Sequence, residues 1–86
     1  MFSIIFEKRA NKDLHKIDSI MRTKILLQIK TVLLKNPYPD GFNPKKLKNS
    51  LYLRFRVSDY RVLYELINRK IIIYAIKHRR EVYRFL

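Results

Sequence analysis

Cysteine is absent from the 86-residue chain, and glycine occurs once. Without thiols there is no disulfide framework, no Cys-ligated zinc and no thiol nucleophile. One glycine excludes collagen-like repeats, Gly-rich phosphate loops and flexible linkers. Acids are scarce: 7 Asp plus Glu stand against 20 Lys plus Arg, a formal net charge of +13. Long apolar runs are missing too. The longest, such as Ile71-Ile72-Ile73-Tyr74-Ala75-Ile76, fall far short of the roughly 20 residues a spanning helix needs, so no membrane-spanning segment is expected. The N-terminus, Met1-Phe2-Ser3-Ile4-Ile5-Phe6-Glu7, has neither a basic leader nor a cleavage site, and a cytoplasmic address is expected.

What is present points to a folded basic domain. At 86 residues there is room for one domain, spanning 1–86. A hydrophobic share of 48% is too high for a disordered basic tail. A charge of +13 on so small a body repels itself, so a partner should offset it. Phosphate-rich nucleic acid is the first candidate, an acidic protein the second and an anionic membrane surface the third. A Lys-rich surface set by proteome bias would explain the Lys and Ile usage, but not the shortage of acids.

Hydrophobic period lays out the elements. Phe2 to Glu7 is apolar and β-branched and predicts a strand. From Lys8 the period changes: Ala10, Leu14 and Ile17 mark one helix face. Ser19 is the expected N-cap of a second helix, with Asp18 near its start. Met21, Ile25, Ile29, Val32 and Leu33 form its stripe, which Leu26, Leu27 and Leu34 widen. The helix should end near Asn36-Pro37, because proline forces its predecessor out of the α region. Residues 36–50 hold all three prolines and the glycine and form one long loop. The period then becomes two. Leu51, Leu53, Phe55 and Val57 face one way, and Tyr52, Arg54 and Arg56 the other. Ser58-Asp59 is a turn, Tyr60 to Ile67 a third strand, Asn68-Arg69 a second turn and Lys70 to Lys77 a fourth strand. The fourth is apolar at nearly every position, which predicts a central place in the sheet. The expected fold is α+β, with order β-α-α-β-β-β and a helical hairpin packed on one face of a mostly antiparallel four-stranded sheet. In the third strand Tyr60, Val62, Tyr64 and Leu66 are the more apolar set. Arg61 and Glu65 then share the open face with Arg54 and Arg56. The tail from His78 is basic and aromatic.

Most catalytic classes fail on inventory. Ser3, Ser19, Ser50 and Ser58 show no nucleophile motif. His15 and His78 are far apart and have no carboxylate cluster, so neither a metal nor a cofactor is expected, and His15 is read as a helix surface residue. What remains is an open face with Arg54, Arg56 and Arg61, followed by His78-Arg79-Arg80-Glu81-Val82-Tyr83-Arg84. If the tail folds back beside strands two and three, several guanidiniums, an imidazole and a phenol converge. Such a set suits phosphodiester chemistry. Arginine forks hold nonbridging oxygens, a phenol or imidazole moves a proton, and either ring stacks on a base. RNA supplies its own nucleophile, the 2′-OH. A solvated basic face with Tyr83 packed on its edge is the competing structural account.

The run from Leu47 to Tyr64, with Tyr52-Leu53-Arg54-Phe55-Arg56-Val57-Ser58-Asp59-Tyr60-Arg61 at its centre, resembles the second hairpin of RelE/ParE-superfamily toxins. The tail His78-Arg79-Arg80-Glu81-Val82-Tyr83 is similar to the ending of the same family. The resemblance covers essentially the whole chain. It implies the toxin half of a type II toxin–antitoxin pair, and in the RelE branch a ribosome-dependent endoribonuclease that cuts mRNA in the A site. By that likeness Arg61 would stabilise the cleaved phosphate, Arg54 and Arg56 would face the mRNA, and Arg79 or Arg80 would sit near the leaving group. Tyr83 would stack on the substrate. Lys45, Lys46 and Lys48, with Lys8, Arg9, Lys12 and Lys16, would contact ribosomal RNA.

The chain also departs from the family. Some members carry a lysine or glutamate base on strand two, where this chain has Arg54 and Arg56, and arginine holds its proton too tightly for that work. His78 is then the first candidate base, because imidazole exchanges protons near neutral pH. Tyr83 is the second, and Glu65 a further one if it faces the groove. Implied partners are a small acidic antitoxin, the ribosome with its mRNA and rRNA, and operator DNA only through the antitoxin complex. Leu27 and Leu34 are candidate antitoxin contacts. Two alternatives stay open: a ParE-like, non-enzymatic inhibitor of DNA gyrase, and an inactive relic that keeps antitoxin binding.

Overall fold

The structure, a computed structural model, describes residues 1–38 and 52–85. Strand β1 (Ser3–Phe6) leads into helices α1 (Lys8–Lys16) and α2 (Ser19–Gln28). The second helix runs on into one π-helical turn, Ile29–Leu33. Strands β2 (Leu53–Val57), β3 (Tyr60–Ile67) and β4 (Lys70–His78) follow, and a short helix α3 (Val82–Phe85) closes the chain. The sheet order is β1-β4-β3-β2. The β1–β4 pair is parallel and the other two pairs are antiparallel. This is the expected α+β arrangement, with β4 in the interior of the sheet as its apolar sequence requires. The loop expected over 36–50 lies mostly outside the described residues, as does Leu51.

Helix ends explain the hairpin. Asp18, not Ser19, is the N-cap of α2: its carboxylate accepts from the Met21 N–H at 3.3 Å. That satisfies one of the orphan donors of the first turn. Arg22, one turn later, closes the end of α1. Its Nε donates to the Leu14 carbonyl and Nη2 to the Ile17 carbonyl, both at 2.8 Å. A cation on the last carbonyls of a helix is favourable twice over, by hydrogen bonding and by the helix dipole.

The hairpin covers one sheet face. Ala10, Leu14, Ile17, Ile25, Ile29 and Leu33 pack on Leu53, Val57, Val62, Tyr64, Ile71, Ile73 and Ile76. Each fully buried aliphatic chain is worth about 1.5–3 kcal/mol of transfer free energy. The expected stripe of α2 is narrower than predicted. Val32 and Leu27 point outward, 47% and 56% exposed, while Leu26 and Leu34 are partly buried against the core. A β-bulge breaks the β3–β4 ladder: Leu63 pairs with Ala75 and Tyr64 with Ile73, leaving Tyr74 as the extra residue. Leu63 and Ala75 therefore form a second small cluster with Val82, and Tyr52 packs against it.

Tyr64 ties the sheet to the chain beyond α2. Its buried hydroxyl donates to the Pro37 carbonyl at 2.7 Å. Burial pushes this phenol up to about 12. The folded state therefore keeps a proton that the unfolded chain releases near pH 10, and stability falls as pH rises from about 10 to 12. Denaturant unfolding at pH 9, 10 and 11 should show that decline. Tyr64→Phe, though less stable at pH 9 because the Pro37 carbonyl loses its donor, should show a shallower one. Equal slopes in both proteins would refute the assignment.

Candidate functional site

With the helices on one face, strand alternation leaves the other face open. Arg54 and Arg56 on β2 and Arg61 on β3 lie there, and Arg56 is directly across from Arg61 in the ladder. The two-residue connection Ser58-Asp59 fixes that register, with Ser58 at a φ of 53°. This left-handed conformation ordinarily favours glycine. The same turn positions two more groups. Arg61 Nη1 donates to the Ser58 and Tyr60 carbonyls at 3.2 and 3.1 Å. The Arg79 N–H donates to the Asp59 carbonyl at 2.7 Å, which holds the start of the tail against the hairpin. Val82 then drops onto Leu63 and Ala75, 3% exposed, and pins the tail to the open face.

The result is an open cleft of about 330 Å³ lined by Arg54, Arg61, Arg79, Arg80 and Val82. Arg61 is half-buried, and the other three arginines are exposed. None of the described lining residues is acidic. Asp59 stands at the rim, with its Oδ1 3.8 Å from Arg79 Nε, and both side chains are more than half exposed. An ion pair so long and so wet adds little. Four guanidiniums with so little compensation repel one another, and a phosphate bound among them would relieve that repulsion through charge-assisted, two-pronged hydrogen bonds.

Both Arg79 and Arg80 thus reach the cleft, where the sequence left a choice between them. Arg56 shares the face beside Arg61 without lining the cleft. Tyr83 follows Val82 in α3. His78 lies apart from the arginines. Its ring packs edge-on against Tyr60, with centroids 5.4 Å apart, and Nδ1 accepts from the Arg80 N–H at 3.2 Å. It lines a separate small cavity of about 140 Å³ with Asp13, Lys16, Tyr60, Lys77 and Glu81. His15 is on the helix surface as expected, its Nδ1 2.7 Å from the Asn11 carbonyl oxygen. Lys8, Arg9, Lys12 and Lys16 are exposed on α1. Lys45, Lys46 and Lys48 lie outside the described residues.

Sequence reasoning missed an aromatic pair on the same face. Tyr52 and Tyr74 are in ring contact, with centroids 5.0 Å apart and planes tilted by 44°. Alternation had placed Tyr52 with Arg54 and Arg56. Tyr74 was hidden in a strand apolar at nearly every position, where neither face stands out.

A family model, that of the ParE toxin of the type II toxin–antitoxin system parDE, matches residues 4–83. The chain belongs to the RelE/ParE superfamily of type II toxins. The toxin also resembles solved structures of such proteins. One is the RelBE2 toxin–antitoxin complex from Mycobacterium tuberculosis, at 23% identity and a TM-score of 0.76, covering 91% of this chain and 98% of that one. A double mutant of the E. coli toxin RelE in the free state gives 21% identity and a TM-score of 0.69 over 96% and 90% of the two chains. The RelB–RelE antitoxin–toxin complex from Methanococcus jannaschii gives 24% and 0.65 over 95% and 98%. At these identities the likenesses show the shared fold. No curated protein matched the sequence.

Proposed function

We propose that this toxin is a ribosome-dependent endoribonuclease that cuts mRNA in the ribosomal A site and so stops translation. The observation that supports this most is the meeting of Arg54, Arg61, Arg79 and Arg80 in one cleft whose described lining holds no acid. In the proposed reaction the RNA 2′-oxygen attacks the adjacent phosphorus and gives up its proton. A 2′,3′-cyclic phosphate forms, the bond from phosphorus to the 5′-oxygen breaks, and that oxygen takes up a proton. Arg61 and Arg54 hold the nonbridging oxygens, where negative charge builds in the transition state. Arg79 or Arg80 serves the departing 5′-oxygen, and Arg56 contacts the strand beside it. Tyr83 is the proposed proton carrier and stacking group. His78 acts from behind, through the Arg80 backbone.

The partners follow from charge. An acidic antitoxin offsets the +13, and the solved relatives from Mycobacterium tuberculosis and Methanococcus jannaschii are complexes with antitoxins. Exposed Leu27 on α2 is a candidate contact for it. Lys45, Lys46, Lys48 and the basic face of α1 contact ribosomal RNA, and operator DNA is reached only through the antitoxin.

A second reading has its own support. The matching family model describes ParE toxins, and the described lining of the cleft offers only guanidiniums, which are poor bases. On that reading the toxin inhibits DNA gyrase by protein contact. Mapping of mRNA 5′ ends and of DNA breaks after brief induction separates the two. The expected result is cleavage within codons, dependent on translation. Gyrase-dependent DNA breaks with intact mRNA would establish the second reading instead. Intact mRNA with normal growth would leave a relic that retains only antitoxin binding.

A further inference from the structure

Beyond the arginine cleft, the open face continues over the Leu63, Ala75 and Val82 cluster to Tyr52. Tyr52 lies two residues before Arg54, about 7 Å along the strand direction, which is the scale of one nucleotide. Its ring contacts that of Tyr74, and both rings are partly exposed. They line a groove of about 270 Å³ with Glu7, Lys8 and Arg9. Glu65 belongs to the same face of β3 as Arg61, and in the ladder it lies opposite Ile72, two residues before Tyr74.

We propose that Tyr52, Tyr74 and Glu65 form a base subsite. It would stack the base of the nucleotide flanking the phosphate held by the arginines, and would select a base with an exocyclic amine over uracil. The proposal rests on the RNA reading of the cleft and names the substrate feature that the neighbouring surface would read. Aromatic rings on an open sheet face stack unpaired bases irrespective of sequence. Selectivity comes from the carboxylate, which only accepts hydrogen bonds. Cytosine N4 and adenine N6 carry amine donors, whereas uracil presents a carbonyl oxygen at the corresponding position.

The Tyr74 phenol is raised above its ordinary value, first by burial and then by the charge of nearby Glu65. Tyr74 therefore stays protonated beside Glu65, whose carboxylate has lone pairs for a base. Lys8 and Arg9, which line the same groove as Glu7, offset the acidic charge there toward an incoming strand.

The test uses four-nucleotide 2′-O-methyl RNAs, which cannot supply the attacking hydroxyl. Wild-type toxin should bind the all-cytidine oligonucleotide about tenfold more tightly than the all-uridine one. Both should shift the ring resonances of Tyr52 and Tyr74. Glu65→Gln should bring the ratio near one, chiefly by tightening binding of the uridine oligonucleotide, because the amide can donate to the uracil carbonyl and a repulsive charge is lost. Arg61→Ala should weaken both equally and keep the ratio. Equal affinities in the wild type, tyrosine resonances that do not move, or a ratio indifferent to Glu65→Gln would each overturn the proposal. Because binding alone is read, cytidine preference without mRNA cleavage in cells would refute the ribonuclease and leave the subsite standing.

Discussion

Arg61→Ala is expected to reduce mRNA cleavage by about 10²–10³-fold and to relieve growth arrest, with the fold intact. Three features single this arginine out from its neighbours. Among the described cleft residues it is the one half-buried guanidinium, so its charge is less screened than those of Arg54, Arg79 and Arg80. Its Nη1 is held by two carbonyls of the β2–β3 turn, so little side-chain freedom remains to be lost when phosphate binds. It also sits between Arg56 on β2 and Lys77 on β4 in the ladders, at the centre of the basic surface. Arg61→Lys should recover only part of the activity, since an ammonium keeps the charge but not the planar fork. Stability should change little: two peripheral hydrogen bonds are lost and one repulsive charge is removed. Single-turnover cleavage in a translating extract, with denaturant unfolding as the control, reads both effects. Full toxicity from a folded Arg61→Ala protein would rule out this role and with it the ribonuclease reading of the cleft.

The arginines of β2 and β3 were legible because nothing interrupts the period of two between Leu53 and Leu63. Each residue's face follows from parity, and the turn at Ser58-Asp59 adds an even number of residues. The apolar run of β4 placed that strand in the interior of the sheet for an equally simple reason: neither of its faces is left to water. Parity fails beyond Tyr74. The bulge inserts one residue, so side chains beyond it cannot be assigned a face by counting from Ile71 or Ile73. His78 belongs to the same register: as the last residue of β4 it pairs with Tyr60 and packs on its ring, whereas its place at the head of the basic tail had grouped it with the arginines. The cap of α2 was misread by one residue, because Asp18 and Ser19 both have suitable side chains and only the backbone decides between them. The π-helical turn at Ile29–Leu33 left no trace in composition. Val82, the anchor that folds the tail back, is a lone apolar residue in a basic stretch, and its partners Leu63 and Ala75 are distant in sequence.

Asp13 is the other residue that no pattern announced, and its removal should have the largest effect on stability. Strand β1 ends at Phe6, opposite Ile73, and the last backbone bond on that side runs from the Glu7 N–H to the Ile73 carbonyl at 2.9 Å. Farther along β4, helix α1 replaces the strand. The Ile76 N–H donates to Asp13 Oδ2 at 2.9 Å, and Lys77 Nζ lies 3.1 Å from Oδ1. A buried carboxylate, 7% exposed, thus completes the backbone bonding of the strand that delivers Arg79 and Arg80. Asp13→Ala strands the Ile76 N–H in the interior and deprives Lys77 of the carboxylate, which should cost about 3 kcal/mol. For a domain of this size that lowers the melting temperature by about 15 °C. Out of a total of about 5–15 kcal/mol, it leaves the end of β4 prone to local opening. Asp13→Asn keeps an acceptor for Ile76 and should cost only about 1 kcal/mol. Amide exchange at Ile76 and Lys77 should accelerate in Asp13→Ala before that of Val62 and Ile73. An alanine variant as stable as the wild type would show that water or another group satisfies this edge. The cleft would then owe its geometry to the Asp59–Arg79 backbone bond and the burial of Val82 alone.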